Sequence, residues 1–161
     1  MRYNYRMALV RILVDGYSLL HQWPELAQGK ARHSEAARKE LISILTDYQD
    51  STGTPVTVVF DGAGGPKHLP RVETGHAVEV IFSKSGQTAD DIIERVVHRM
   101  KPYGEVMVVT DDFAERDTVM TFGGTPVGCG IFIRMIADAA GELQEDLQRL
   151  NRKERQRFRS R

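Results

Sequence analysis

Cysteine is nearly absent: Cys129 stands alone among 161 residues. A single thiol builds neither a disulfide framework nor a cysteine-rich zinc site. Nothing around Cys129 marks a nucleophile, so it is expected as a small packed side chain. Long apolar runs are missing too. The run Met7–Val14 is interrupted by Arg11 and closed by Asp15-Gly16, which reads as a buried strand and not as a secretory core. No stretch approaches the ~20 apolar residues that a membrane helix needs. A cytoplasmic location with no membrane partner is the expectation. Phosphate-binding and nucleophile signatures are also lacking. There is no Gly-x-x-x-x-Gly-Lys-Ser/Thr loop, no Gly-x-Gly-x-x-Gly after a strand and no Gly-x-Ser-x-Gly elbow. His21, His33, His68, His76 and His98 do not fall at zinc-ligand spacings. A phosphatase built on Asp15 would want a second acid at position 17, where Tyr17 stands.

The formal net charge is zero, but the charge is unevenly placed. Residues 149–161 hold seven basic side chains and one acid, a net of +6, which leaves residues 1–148 with a net of −6. The basic end is either an arm that touches phosphates or a solvated helix terminus. The body concentrates acid somewhere. Its composition, 41% hydrophobic and 27% charged, is that of a globular domain long enough for a hydrophobic core. The expected division is a domain over 1–147 and a basic helical tail over 148–161.

Strand and helix patterns alternate along the chain. Ala8–Val14, Val56–Phe60, Val78–Phe82 and Glu105–Thr110 are short apolar runs that suit strands buried on both faces. Helical spacing of apolar residues marks His33–Asp50 and Thr88–Met100. Phe113–Phe122 reads as a short helix, Thr125–Val127 as a fifth strand, and Ile131 to about Phe158 as a long final helix. The stretch Asp61–His76, rich in Gly and Pro, reads as a long mobile loop. The alternation implies an α/β fold: a three-layer α/β/α arrangement around a mainly parallel sheet.

In open parallel sheets, ligands bind outside the carboxyl ends of the strands. Three apolar runs end in aspartate: Val14-Asp15, Phe60-Asp61 and Thr110-Asp111-Asp112. A further pair, Asp90-Asp91, opens the helix after the third strand. Parallel topology gathers all of them at one edge, where carboxylates repel one another unless a cation lies between them. Hard oxygen ligands suit Mg²⁺ or Mn²⁺, and such a site suits phosphodiester hydrolysis. Each aspartate also has a structural alternative. Thr88 and Asp91 fit a capping box, Asp61-Gly62 fits a turn, and Asp111 or Asp112 fits a helix cap.

The segment Arg11-Ile-Leu-Val-Asp-Gly-Tyr-Ser-Leu-Leu-His-Gln-Trp-Pro-Glu-Leu26 resembles the NYN domain family, in its YacP-like branch of bacterial ribonucleases within the PIN-like nuclease superfamily. Val58–Gly62, Val80–Glu94 and Val106–Asp112 resemble it in the same order. The likeness spans roughly residues 9–145. It implies a PIN-like fold and a metal-dependent endoribonuclease acting on single-stranded RNA. It further implies cleavage of mRNA on the ribosome, with the basic tail against ribosomal RNA. Asp15, Asp90, Asp91 and Asp112 are the implied catalytic metal ligands, with Asp61 and Asp111 as neighbours. The chain departs from the family at Ser18, where asparagine is usual; serine is shorter and offers one donor in place of two. Substrate contacts are expected from Ser18, Tyr17, Lys67, His68, Arg71 and Lys84, through stacking or phosphate binding. The alternative is a catalytically weak RNA- or ribosome-binding module on the same fold.

Overall fold

The computed structural model describes residues 8–26, 34–62, 71–73, 75, 77–83 and 88–160. The elements run in the order β1 (Leu9–Asp15), α1 (Gly16–His21), α2 (Glu35–Thr52), β2 (Val56–Phe60), β3 (Arg71–Glu73) and β4 (Glu79–Phe82). They continue with α3 (Ala89–Met100), a 3₁₀ turn (Lys101–Tyr103), β5 (Glu105–Val109), α4 (Phe113–Thr121), β6 (Thr125–Val127) and α5 (Cys129–Arg159).

One sheet carries the six strands in the order β3-β4-β2-β1-β5-β6. Five are parallel, and β3 runs antiparallel to β4 at the edge. The strands at the centre are buried on both faces, as their unbroken Val/Ile/Leu runs require. Ile12, Val14, Val56, Val58 and Phe60 pack with α1, α2 and α5 on one side. Leu13, Val59, Ile81, Val106 and Val108 pack with α3 and α4 on the other. The result is the three-layer α/β/α fold.

Local chemistry sets the element ends. Ser34 caps α2 by accepting from Ala37 N, and Gly53 closes it in the left-handed conformation at φ 73°, which costs glycine little. Thr88 and Asp91 form a complete capping box on α3. Two elements were not expected from the sequence. The helix α1 follows β1 without a loop, because Asp15 accepts from Ser18 N and serves as its cap. Gly16 is needed there, since a Cβ at that position would overlap the Phe60 ring. The strand β3 lies inside the stretch read as a loop; its pairing to β4 is non-local and leaves no period-2 signal over three residues.

The long helix α5 starts at Cys129, runs unbroken through positions 147 and 148, and ends at Arg159. Its inward residues are Phe132 and Ile136, and every described residue from 141 onward is exposed. No helix among the described residues is long and apolar enough to cross a membrane.

Candidate active site

The strand order places a switch point at the carboxyl ends of β1 and β5. The chain leaves β1 toward α2 on one face and leaves β5 toward α4 on the other, so a crevice opens between them. Asp15 ends β1 at that crevice. Asp90 reaches it from the first turn of α3, the helix that crosses beneath β1 and β2. Glu115 reaches it from the first turn of α4. One carboxylate oxygen from each of Asp15, Asp90 and Glu115 lies within 4.8 Å of the other two, the one such cluster among the described residues.

Glu115 is the member that sequence reasoning missed. It is 2% exposed. Its Oε2 accepts from Thr110 Oγ1 at 3.2 Å, whereas Oε1 is buried with no hydrogen-bond donor. An acid three residues after a helix cap ordinarily reads as capping chemistry, which hid it. The available signal was the stripe Glu115–Val119, the two buried residues of α4, four apart.

Burial pushes the Asp15 carboxyl up to about 6. The Ser18 N–H and the Glu115 side chain hold it down, and the charges of Asp90 and Asp61 push it further up. Burial pushes Glu115 up to about 10, reinforced by its contacts with Asp90 and by the charge of Asp15. Without a cation, burial and the neighbouring carboxylates favour the protonated form of Glu115. A cluster of three carboxyl groups, one of them with a buried oxygen that has no donor, is what a hard divalent cation would satisfy, so the donor set fits Mg²⁺ or Mn²⁺.

The other expected acids accept hydrogen bonds from backbone N–H groups at helix starts. Asp61 Oδ1 accepts from Ala89 N at 2.7 Å and lies 3.4 Å from Ser83 Oγ. It thereby pins the start of α3, on which Asp90 sits. The carboxylate of Asp91 accepts from Thr88 N at 3.1 Å and is exposed. Asp112 Oδ1 accepts from Ala114 N at 2.9 Å and from Glu115 N at 3.3 Å, capping α4. Asp111 Oδ1 accepts from Cys129 N at 2.9 Å and so caps α5 from a neighbouring strand end. Of the four acids expected as direct ligands, the structure brings Asp15 and Asp90 together and engages Asp91 and Asp112 as helix caps. Asp91 and Asp112 each accept from bare N–H groups at a helix start, whereas Asp15 accepts from Ser18 N and still belongs to the cluster.

Ser18 Oγ accepts from Asp111 N at 3.4 Å and lies 3.8 Å from Cys129 Sγ. It joins α1 to the segment after β5 and to the start of α5. The Cys129 thiol is pushed up to about 12 by burial and stays protonated. Tyr17 packs its ring against Phe60 at 5.1 Å, and its hydroxyl accepts from Arg38 at 3.4 Å. Lys67, His68 and Lys84, and the side chain of Arg71, lie outside the described residues.

Comparison with known proteins agrees with the fold. Residues 12–161 match the family described as YacP-like NYN domain. The Bacillus subtilis (strain 168) protein named uncharacterized protein YacP is 42% identical over 106 residues, which is 65% of this chain. That alignment spans 62% of the length of this curated relative. A crystal structure of Rae1 (YacP) from Bacillus subtilis, a Trp-to-Leu variant, superposes with a TM-score of 0.76 at 30% identity, covering 89% of this chain and 84% of that one. A second crystal structure of Rae1 (YacP) from Bacillus subtilis gives 0.74 at 32% identity, covering 92% and 84%.

Proposed function

Since the chain belongs to the YacP-like NYN domain family, we propose that it is a metal-dependent endoribonuclease that hydrolyses phosphodiester bonds of single-stranded RNA. The observation that carries this reading is the convergence of Asp15, Asp90 and Glu115 at the sheet's switch point, with Glu115 Oε1 buried and lacking a donor. These three side chains would hold a divalent cation, Mg²⁺ or Mn²⁺. Such an ion, when bound, supplies Lewis-acid polarisation of a phosphoryl oxygen and makes a nearby water more acidic.

The chain's own residues do the rest. Asp15, ionised above its raised pKa, is the carboxylate placed to orient or deprotonate an attacking water. Asp61 and Asp112 act as positioning residues: one fixes the start of α3 beneath Asp90, the other the first turn of α4 beneath Glu115. The outward stripe Arg152, Arg155 and Arg159 on α5, spaced by three and four, provides a sequence-independent grip on RNA phosphates. That grip serves messenger or ribosomal RNA alike.

The test is incubation of the full chain with labelled single-stranded RNA and Mn²⁺, beside Asp15→Asn and Glu115→Gln. Cleavage by the wild type, reduced roughly a hundredfold or more in each variant, is expected. Intact RNA in all samples, bound equally by wild type and variants, would refute the enzyme reading and leave an RNA-binding module. Cleavage of DNA alone would refute the substrate.

A further inference from the structure

Phe113 is 79% exposed. It opens α4, directly after the cap Asp112 and two residues before Glu115. Packing does not account for it. Phe113 belongs to neither core cluster, and its ring meets no other ring or guanidinium among the described residues. The positions from which a helical neighbour would cover it, three and four residues on, hold Arg116 and Asp117. Tyr103 and Phe158 are almost as exposed. Tyr103, however, lies between α3 and the start of β5, at the opposite edge of the sheet, and Phe158 lies at the far end of α5. Of these three rings, only that of Phe113 adjoins the acids.

Topology sets its place. The helix α4 follows the carboxyl end of β5, so it forms one wall of the crevice, and its first turn supplies Glu115 to the cluster with Asp15 and Asp90. Helical side chains lean toward the N-terminus of their helix. Phe113 therefore extends over the carboxyl edge of the sheet and not back along the body. Two residues apart on a helix means about 200° of rotation, so Glu115 turns inward to the acids and Phe113 outward to solvent. We propose that Phe113 is a stacking platform for an unpaired base of single-stranded RNA. The base is a neighbour of the nucleotide whose phosphate lies at the acids, because the ring and the Glu115 carboxylate face opposite ways. Phe113 thereby adds a substrate-binding residue to the site read above as that of a ribonuclease, a reading on which this assignment rests. Every base has a π-face, so the platform accepts any of the four. Bases within a duplex have their faces covered by stacking, so the platform selects unpaired RNA.

The test reads binding and cleavage separately in the full chain, with Phe113→Ala, Phe113→Leu and Phe113→Trp. The position is exposed, so none of the three opens a cavity in the core. Affinity for a labelled single-stranded RNA is measured in the Asp15→Asn background, where the RNA stays intact. Phe113→Ala should bind about tenfold more weakly. Phe113→Leu keeps an apolar side chain without a π-face and should fall with alanine, whereas Phe113→Trp should bind at least as well as phenylalanine. An abasic oligomer of the same length and charge has nothing to stack, so Phe113 and Phe113→Ala should bind it equally. With Asp15 restored, Phe113→Ala should raise KM for RNA about tenfold and keep kcat. Equal RNA affinity with and without the ring overturns the proposal and leaves the ribonuclease reading standing. So does a loss that is as deep on the abasic oligomer, or a fall in kcat at unchanged KM, since either places the effect in phosphate contacts or in the seating of Glu115. RNA that is bound with the expected pattern but never cut upholds the platform and refutes the ribonuclease reading. A wild type that does not retain RNA overturns both.

Discussion

Glu115 is subject to two opposing demands. The fold buries it, which favours the neutral acid, while a divalent cation would require the carboxylate. Its folded pKa is raised to about 10 and that of Asp15 to about 6, both above the unfolded values of about 4. A raised pKa stabilises the fold fully below the unfolded value and loses that stabilisation as pH climbs through the folded one. The metal-free protein should therefore lose stability from about pH 5 toward pH 9, by at most about 1.4 kcal/mol per pH unit for each proton involved. Urea midpoints measured across that range should show the decline in the wild type and a flatter profile in Glu115→Gln. Because Asp15 is already ionised at pH 7.5, binding of Mn²⁺ there should release about one proton, from Glu115. Calorimetry in buffers of different ionisation enthalpy reads that number, and Glu115→Gln should abolish it; release in the variant equal to wild type would exclude Glu115 as the proton's source.

Helix ends decide which acids face the crevice. Asp112 accepts from two first-turn amides of α4, so Asp112→Ala should cost about 1 kcal/mol and displace Glu115. Asparagine caps as well as aspartate, so Asp112→Asn should keep both stability and RNA cleavage. A loss in Asp112→Asn as deep as that in Asp15→Asn would instead make Asp112 a direct ligand. The positioning role of Asp61 makes a parallel forecast. Asp61→Asn retains an acceptor for Ala89 N and should retain most activity, whereas Asp61→Ala should unpin α3 and lower it, with Mn²⁺ affinity falling alongside.

For the molecule as a whole, α5 does two kinds of work along its length. Its first turns pack Phe132 and Ile136 into the core, with Phe132 edge-on to Tyr48 at 5.4 Å. Beyond residue 141 it contributes nothing to that core. Truncation after Leu147 removes Arg152, Arg155 and Arg159 and should weaken RNA retention while leaving the stability of the core unchanged, since every described residue from 141 onward is exposed. Neutralising the outer stripe by Arg152→Gln/Arg155→Gln/Arg159→Gln should reduce the steepness of log affinity against log salt for single-stranded RNA by about 2. Filter binding over a salt series measures it, and an unchanged slope removes the stripe from RNA recognition.

Much of this was determined by the sequence alone. The apolar runs of β1, β2, β4 and β5 and the helical spacing in α2 and α3 are local patterns, and alternation then leaves few topologies open. The placing of aspartates at strand ends follows from the same patterns, so the edge that holds the site was legible together with Asp15 and the Asp90-Asp91 pair. Only the tertiary structure decided between Asp90 and Asp91, because residues adjacent on a helix point about 100° apart and one of them had bare amides to satisfy. It likewise turned Asp112 toward its helix end and Glu115 into the crevice, an exchange that depends on where α4 meets β1 and α3. Strand β3 was illegible for the same reason: it exists only where segments distant in sequence are brought side by side.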